Sequence, residues 1–174
     1  MNIFIGGSAR EEIDEKYKIE AEKLGKLLSK TEHKIYCCAS TFGVIGKIYS
    51  QIDKNKVRTA VPKAHLGYDD IDKERITVIT ETINERTDYL LKNSDVCIFL
   101  PGRIGTIYEI MSSIETKRAH EHNCKIIIVN LFGYFDELIK MFDKTYKENF
   151  ASIKDKNTYT IINKIEELDL INLK

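Results

Sequence analysis

The stretch from Ser94 to Ala119 constrains the fold more than any other part of the chain. After Asp95, the run Val96-Cys97-Ile98-Phe99-Leu100 is unbroken in its apolarity and is closed by Pro101-Gly102. Such a run, bounded by turn residues, reads as a strand buried on both faces of a parallel sheet. Gly102-Arg103-Ile104-Gly105-Thr106 then forms a loop whose glycines let backbone amides approach a ligand closely. From Ile107 the apolar period becomes helical, with Ile107, Ile110, Met111 and Ile114 expected on one face. A loop that feeds a helix N-terminus gathers unpaired N–H groups at the positive end of the helix dipole, which suits a phosphate.

The rest of the chain repeats this alternation. Asn2–Ile5, Lys34–Cys38, Val57–Val61 and Lys125–Val129 are apolar runs of strand length, and Tyr159–Ile162 with Ile165–Leu170 reads as a small strand or helical tail. Helical periods cover about Ile13 to Lys30, Gly46 to Ile52, Thr80 to Lys92 and Tyr134 to Asn149. Ala64–Lys73, which carries His65, Gly67 and Tyr68, reads as a polar irregular connection. The pattern predicts an α/β fold: a Rossmann-like, doubly wound parallel sheet with helices on both faces, in a single domain over residues 1–174. Six of the nine glycines, at 6, 7, 43, 46, 102 and 105, follow predicted strands. They gather along the carboxyl edge, where such sheets bind ligands; βα turns alone account for glycines there equally well.

Composition narrows the function classes. Lys+Arg and Asp+Glu both count 27, so the formal net charge is zero. That balance argues against nonspecific binding to a nucleic-acid polymer or a membrane surface, while leaving room for a local basic pocket. No apolar run approaches membrane-spanning length and Met1–Ile5 lacks a basic leader, so a soluble, cytoplasmic protein is expected. Cys37, Cys38 and Cys97 fall in predicted strands and no CxxC occurs, which fits free thiols. His120, His122 and Cys124 lie at a helix end, where histidine suits the dipole, and are not read as metal ligands.

Two charged residues stand out. Arg86 shares its helical period with Ile79, Ile83 and Leu90, and a guanidinium in an apolar stripe must find a partner, face a polar pocket or reach water. Glu109 completes Thr106-Ile107-Tyr108-Glu109, the pattern of a capping box, and on spacing alone the cap is the favoured reading. The other reading sets its carboxylate beside the glycine loop, close to a ribose.

Pro101-Gly102-Arg103-Ile104-Gly105-Thr106-Ile107-Tyr108-Glu109 resembles the PGGxGTxxE motif of the LOG family, often labelled lysine-decarboxylase-like. Asn84-Glu85-Arg86 stands where that family has His-Glu-Arg. Asn130–Phe135 with Leu138, Phe142-Asp143 and Glu148-Asn149-Phe150 is similar to its C-terminal helix. Gly6-Gly7-Ser8 and Gly43-Val44-Ile45-Gly46 are similar to its first two loops. The chain departs from the family at Arg103 for the second glycine, Thr87 for a lysine and Tyr108 for an acid. The loop after the second strand, Cys38-Ala39-Ser40-Thr41-Phe42, departs as well.

The resemblance implies a phosphoribohydrolase that cleaves a nucleoside 5′-monophosphate, in that family a cytokinin riboside 5′-monophosphate or related nucleotide, to free base and ribose 5-phosphate. Arg86 and Glu109 would be its catalytic residues, with Gly7, Ser8, Gly102, Arg103, Gly105 and Thr106 holding phosphate and ribose. It also implies a homodimer and requires neither cofactor nor metal. A nucleoside deoxyribosyltransferase-like enzyme and a non-catalytic nucleotide-binding or sensing module are the alternatives. At Arg103 the backbone either needs a positive φ, which would strain an arginine, or is ordinary and lets the guanidinium add charge-assisted bonds to a phosphate. The second is expected, because Gly102 and Gly105 remain.

Overall fold

Seven short segments pair in one all-parallel sheet: β1 (Asn2–Gly6), β2 (Lys34–Cys37), β3 (Val57–Pro62), β4 (Val78–Thr80), β5 (Val96–Phe99), β6 (Lys125–Val129) and β7 (Tyr159–Ile162). Their order is β4-β3-β2-β1-β5-β6-β7. The computed structural model describes residues 1–170, so the last four positions of the expected 1–174 domain lie outside the described residues. Five α-helices cover the sheet: α1 (Glu15–Ser29), α2 (Gly43–Tyr49), α3 (Ile83–Lys92), α4 (Ile104–Arg118) and α5 (Asp136–Lys147). No helix among the described residues is long and apolar enough to cross a membrane.

The two faces of the sheet have separate cores, because successive strand residues point to opposite sides. Ile3, Ile5, Ile35, Val96 and Ile98 meet Ala21, Leu24 and Leu28 of α1 and Val44, Ile45 and Ile48 of α2. Phe4, Tyr36, Cys97 and Phe99 meet Leu90 and Leu91 of α3, Ile110 of α4 and Phe142 of α5. Strands buried on both sides lack polar alternation, which is why β1, β5 and β6 read as continuous apolar runs. The chain leaves β1 toward one face and β5 toward the other, so the crevice between their carboxyl ends is the switch point of the doubly wound fold.

Several expectations are corrected. The helix expected from Thr80 starts at Ile83, and Val78–Thr80 is instead strand β4, paired with β3 at the edge of the described sheet. Ile79 therefore lies on a strand, 52% exposed, and Ile83 is also exposed. Arg86 has buried Thr87, Leu90 and Leu91 for company rather than an Ile79/Ile83 stripe. On α4 the buried residues are Thr106, Glu109, Ile110 and Ser113, while Met111 is exposed. The tail resolves into β7, parallel to β6, followed by a short 3-10 turn at Ile165–Glu167.

Candidate functional site

The carboxyl ends of β1 and β5 are stitched together by backbone bonds. Leu100 N donates to Gly6 O at 2.9 Å, and Ser8 N donates to Pro101 O at 3.0 Å. This lays the Gly7-Ser8 turn along Pro101-Gly102, with Ser8 buried. Two glycines owe their identity to close approach. A Cβ on Gly102 would collide with the Thr106 side chain and come within 2.9 Å of Ser8 N. One on Gly6 would lie 2.8 Å from Glu109 Oε2 and against the Phe99 ring. Gly105 faces open space, which leaves its backbone accessible.

Helix α4 begins at Ile104, two residues before Thr106, with Arg103 as its N-cap and no side-chain cap bond. The capping-box expectation for Thr106 and Glu109 is thus overturned. Thr106 is buried within the first turn, and its amide and that of Ile107 both bond back to Arg103 O. The amides of Ile104 and Gly105 precede those bonds at the positive end of a 15-residue helix, an arrangement suited to an anion. Arg103 has φ −76° and ψ −169°, an ordinary extended backbone, so no left-handed strain arises there. Its side chain is exposed beside the loop. From the far side, Tyr134 Oη donates to Gly102 O at 2.8 Å and fixes the loop against the turn after β6.

Glu109, one helical turn past Thr106, carries its carboxylate toward α3. There Arg86 Nη2 donates to Glu109 Oε1 at 2.6 Å, and both side chains are only 9% exposed. Helix α3 is positioned by its own cap: Thr82 accepts from Glu85 N at 3.1 Å, while Glu85 Oε2 accepts from Glu81 N at 2.9 Å. An exposed bond from Tyr108 Oη to Asn84 Oδ1, 2.7 Å long, ties α3 to α4. Burial pushes the Glu109 carboxyl up from its ordinary 4.5 to about 7, and the adjacent Arg86 charge offsets only part of that. Arg86 Nε is buried with no protein partner, an unmet donor inside the site. A perturbed acid and an orphaned cation donor lie side by side at the sheet switch point, the combination that marks a candidate site.

Residues 39–169 match the family described as "Possible lysine decarboxylase", the LOG family. The chain belongs to this family. A cytokinin riboside 5′-monophosphate phosphoribohydrolase of Arabidopsis thaliana is 28% identical over 155 residues, covering 86% of this chain and 71% of its own. A relative from Oryza sativa subsp. japonica, named "Probable cytokinin riboside 5'-monophosphate phosphoribohydrolase", is 26% identical over 156 residues, with 87% and 67% covered. Among solved structures, the Moco carrier protein from Chlamydomonas reinhardtii superposes with a TM-score of 0.66 at 16% identity, covering 95% of this chain and 90% of its own. The molybdenum cofactor binding protein from Rippkaea orientalis gives 0.61 at 18%, covering 95% and 90%. At those identities the likeness is one of fold.

Within this LOG-family chain, the eight expected site residues divide cleanly by position. Gly7, Ser8, Gly102 and Arg103 lie on the two loops at the carboxyl ends of β1 and β5, Gly105 and Thr106 lie in the first turn of α4, and Arg86 with Glu109 forms the buried pair beside them. Residues given no role by the sequence also reach this edge. Tyr134 holds Gly102, and His65 with Tyr68 sits on the connection after β3, where the charges of Arg86 and Arg103 are felt at the His65 ring. The four thiols are free, with Cys37, Cys97 and Cys124 buried and Cys38 half-buried just past the end of β2. His122 Nδ1 accepts from Cys124 N at 3.1 Å, and the other ring nitrogen pairs with Ser113 O.

Proposed function

We propose that this protein hydrolyses the N-glycosidic bond of a nucleoside 5′-monophosphate. The observation that carries the reading is the buried Arg86–Glu109 pair directly beside an amide-rich loop that opens a helix. The 5′-phosphate binds the amides of Gly102, Ile104 and Gly105 at the start of α4 with the Thr106 hydroxyl nearby, and Gly7, Ser8 and the Arg103 guanidinium complete the contacts to phosphate and ribose. This sets C1′ over the Glu109 carboxylate.

As the C1′–N bond breaks, its electron pair leaves with the base and positive charge builds on the ribose ring. The ionised Glu109 stabilises that charge in a site shielded from water and accepts a proton from the attacking water. Water oxygen bonds to C1′, the base takes a proton, and ribose 5-phosphate and free base result. Arg86 holds Glu109 through Nη2, and its unpaired Nε supplies a donor to the departing base or a ribose hydroxyl. Every step is carried by side chains and backbone of this chain, so the reading calls for no cofactor.

The test is a panel of nucleoside 5′-monophosphates assayed for both free base and ribose 5-phosphate. Equimolar release from at least one member is expected, and base exchange between nucleosides without ribose 5-phosphate would overturn hydrolysis in favour of transfer. Nucleotide binding with no turnover across the panel would support a carrier or sensing module, a second reading favoured by the likeness in fold to molybdenum cofactor carriers.

We also propose that two copies pair through α3 and α4. Their outer surface exposes the apolar side chains of Ile83, Ile104, Tyr108 and Met111, of the kind that an interface covers. Light scattering should give twice the 20.1 kDa chain mass, and a monomer at micromolar concentration would refute it.

A further inference from the structure

We propose that the stacked rings of His65 and Tyr68 form the platform on which the base of the nucleotide lies. The inference rests on the nucleotide reading of the site but concerns residues outside the glycine loops and the Arg86–Glu109 pair.

The rings are arranged by local backbone physics. After β3 ends at Pro62, Lys63–His65 forms a 3-10 turn, and Tyr68 N then donates to His65 O at 3.1 Å. Side chains three apart eclipse in such turns. His65 and Tyr68 accordingly stack with centroids 4.8 Å apart and planes 20° from parallel.

This connection is pinned to the carboxyl edge of the sheet. Asp70 O accepts from both Thr41 N and Thr41 Oγ1, at 2.8 Å and 3.1 Å. Ser40 Oγ donates to Asp70 Oδ2 at 2.5 Å, and Asp72 N donates to Ala39 O at 2.9 Å. An antiparallel bridge between Ser40 and Ile71 completes the tether. The connection that carries the rings is therefore tied, through Asp70–Asp72, to the loop that follows β2, at the carboxyl edge of the sheet that also carries the α4 N-terminus.

Chemistry points the same way. Burial lowers the His65 pKa first, and the charges of Arg86 and then Arg103 lower it further against the opposing pull of Asp70. Both effects favour the neutral ring over the imidazolium. Tyr68 is 52% exposed, so the stack contributes little to the core and keeps much of its tyrosine at the surface. The aromatic cluster on the opposite flank does not offer this. Tyr17 meets Phe132 and Tyr134 edge to face, and the Lys16 ammonium lies 5.1 Å over the rings of both Tyr17 and Phe132. Among the ring contacts of the described residues, His65–Tyr68 is the stacked one. Open parallel faces are what a heterocyclic base uses, and stacking of this kind tolerates any base while rewarding a larger one.

The experiment compares adenosine 5′-monophosphate, cytidine 5′-monophosphate and ribose 5-phosphate by titration calorimetry in a Glu109→Gln background, so that nucleotide is not consumed. The unsubstituted platform should bind adenosine 5′-monophosphate more tightly than cytidine 5′-monophosphate, and both more tightly than ribose 5-phosphate. His65→Ala and Tyr68→Ala should each weaken adenosine 5′-monophosphate about tenfold or more and leave ribose 5-phosphate within twofold. Tyr68→Phe and Tyr68→Trp, which keep a ring, should retain the affinity.

Equal losses for nucleotide and ribose 5-phosphate, unchanged nucleotide affinity, or no preference for nucleotide over ribose 5-phosphate before substitution would each overturn the platform. Base release by the protein with native Glu109 separates the two readings. Release with a KM indifferent to both alanine substitutions sinks the platform alone. Platform-dependent binding with no release sinks hydrolysis alone.

Discussion

Glu109→Gln tests the burial argument and the chemistry at once, and the two parts of its outcome differ in sign. Glutamine keeps the volume and an acceptor for Arg86 Nη2, and mimics the protonated acid at every pH. In the wild type the Glu109 carboxyl titrates near 7 in the fold, against 4.5 in an unperturbed chain. Between those values the folded protein holds a proton that the unfolded chain has released, so stability falls as pH rises from about 5 to about 7. The difference of two to three pH units corresponds to about 3 kcal/mol, fully lost above the folded value. The glutamine variant has no such slope. It should melt with the wild type near pH 5 and about 6–12 °C above it at pH 8, read by scanning fluorimetry across pH. Base release, by contrast, should fall by roughly 10²–10⁴-fold above pH 7, where the wild-type carboxylate is ionised, and by progressively less as pH falls below it. A variant less stable than wild type at pH 8 would mean that attraction to Arg86 outweighs burial, and the argument fails. A stable variant that still turns over would remove Glu109 from the chemistry.

The remaining predictions concern its neighbours. Removing the cation in Arg86→Ala leaves Glu109 buried beside no positive charge, so the acidic limb of the kcat/KM–pH profile should move to higher pH as turnover drops; an unmoved limb would disprove the coupling. Arg103→Gly should weaken 5′-monophosphate binding more than binding of the matching nucleoside and reduce its salt sensitivity; tighter nucleotide binding would show that Arg103 obstructs the loop. Gly102→Ala forces a methyl against the Thr106 side chain and Ser8 N, so phosphate affinity should fall with a stability loss of about 1–3 kcal/mol; unchanged ribose 5-phosphate affinity would refute the packed-loop account.

What was legible in the sequence was local. β5, its glycine loop and α4 announce themselves because a two-sided buried strand and a helical period are written in consecutive residues. β4 was not legible for the opposite reason. Three residues, one of them an exposed isoleucine, carry no period, and only pairing with β3 makes them a strand. Arg86 and Glu109 could each be singled out, yet their bond spans 23 positions and joins two helices, which no spacing rule encodes. The stack of His65 on Tyr68 needed knowledge of a 3-10 turn inside a segment whose polarity suggested only a loop.

The capping-box pattern misled in an informative way. Thr106 and Glu109 have the right spacing for a cap, but α4 starts at Ile104, which turns both inward. The helix thus presents Thr106, Glu109 and Ser113 toward the sheet beside Ile110, and shows Ile104, 79% exposed, with Tyr108 and Met111 to the outside. A helix packed for stability alone would do the reverse. Local preference and global fold agree along α1, whose Ala21, Leu24 and Leu28 are buried as its period predicts, and they disagree along α4. Such disagreement concentrates where a protein trades stability for function. On α4 both halves of the inversion have an account. The polar inner face holds the proposed carboxylate against Arg86 beneath the glycine loop, and the apolar outer face is the surface proposed to meet a second copy. A single shift in where one helix begins creates both surfaces, so substitutions that move the start of α4 should disturb catalysis and association together.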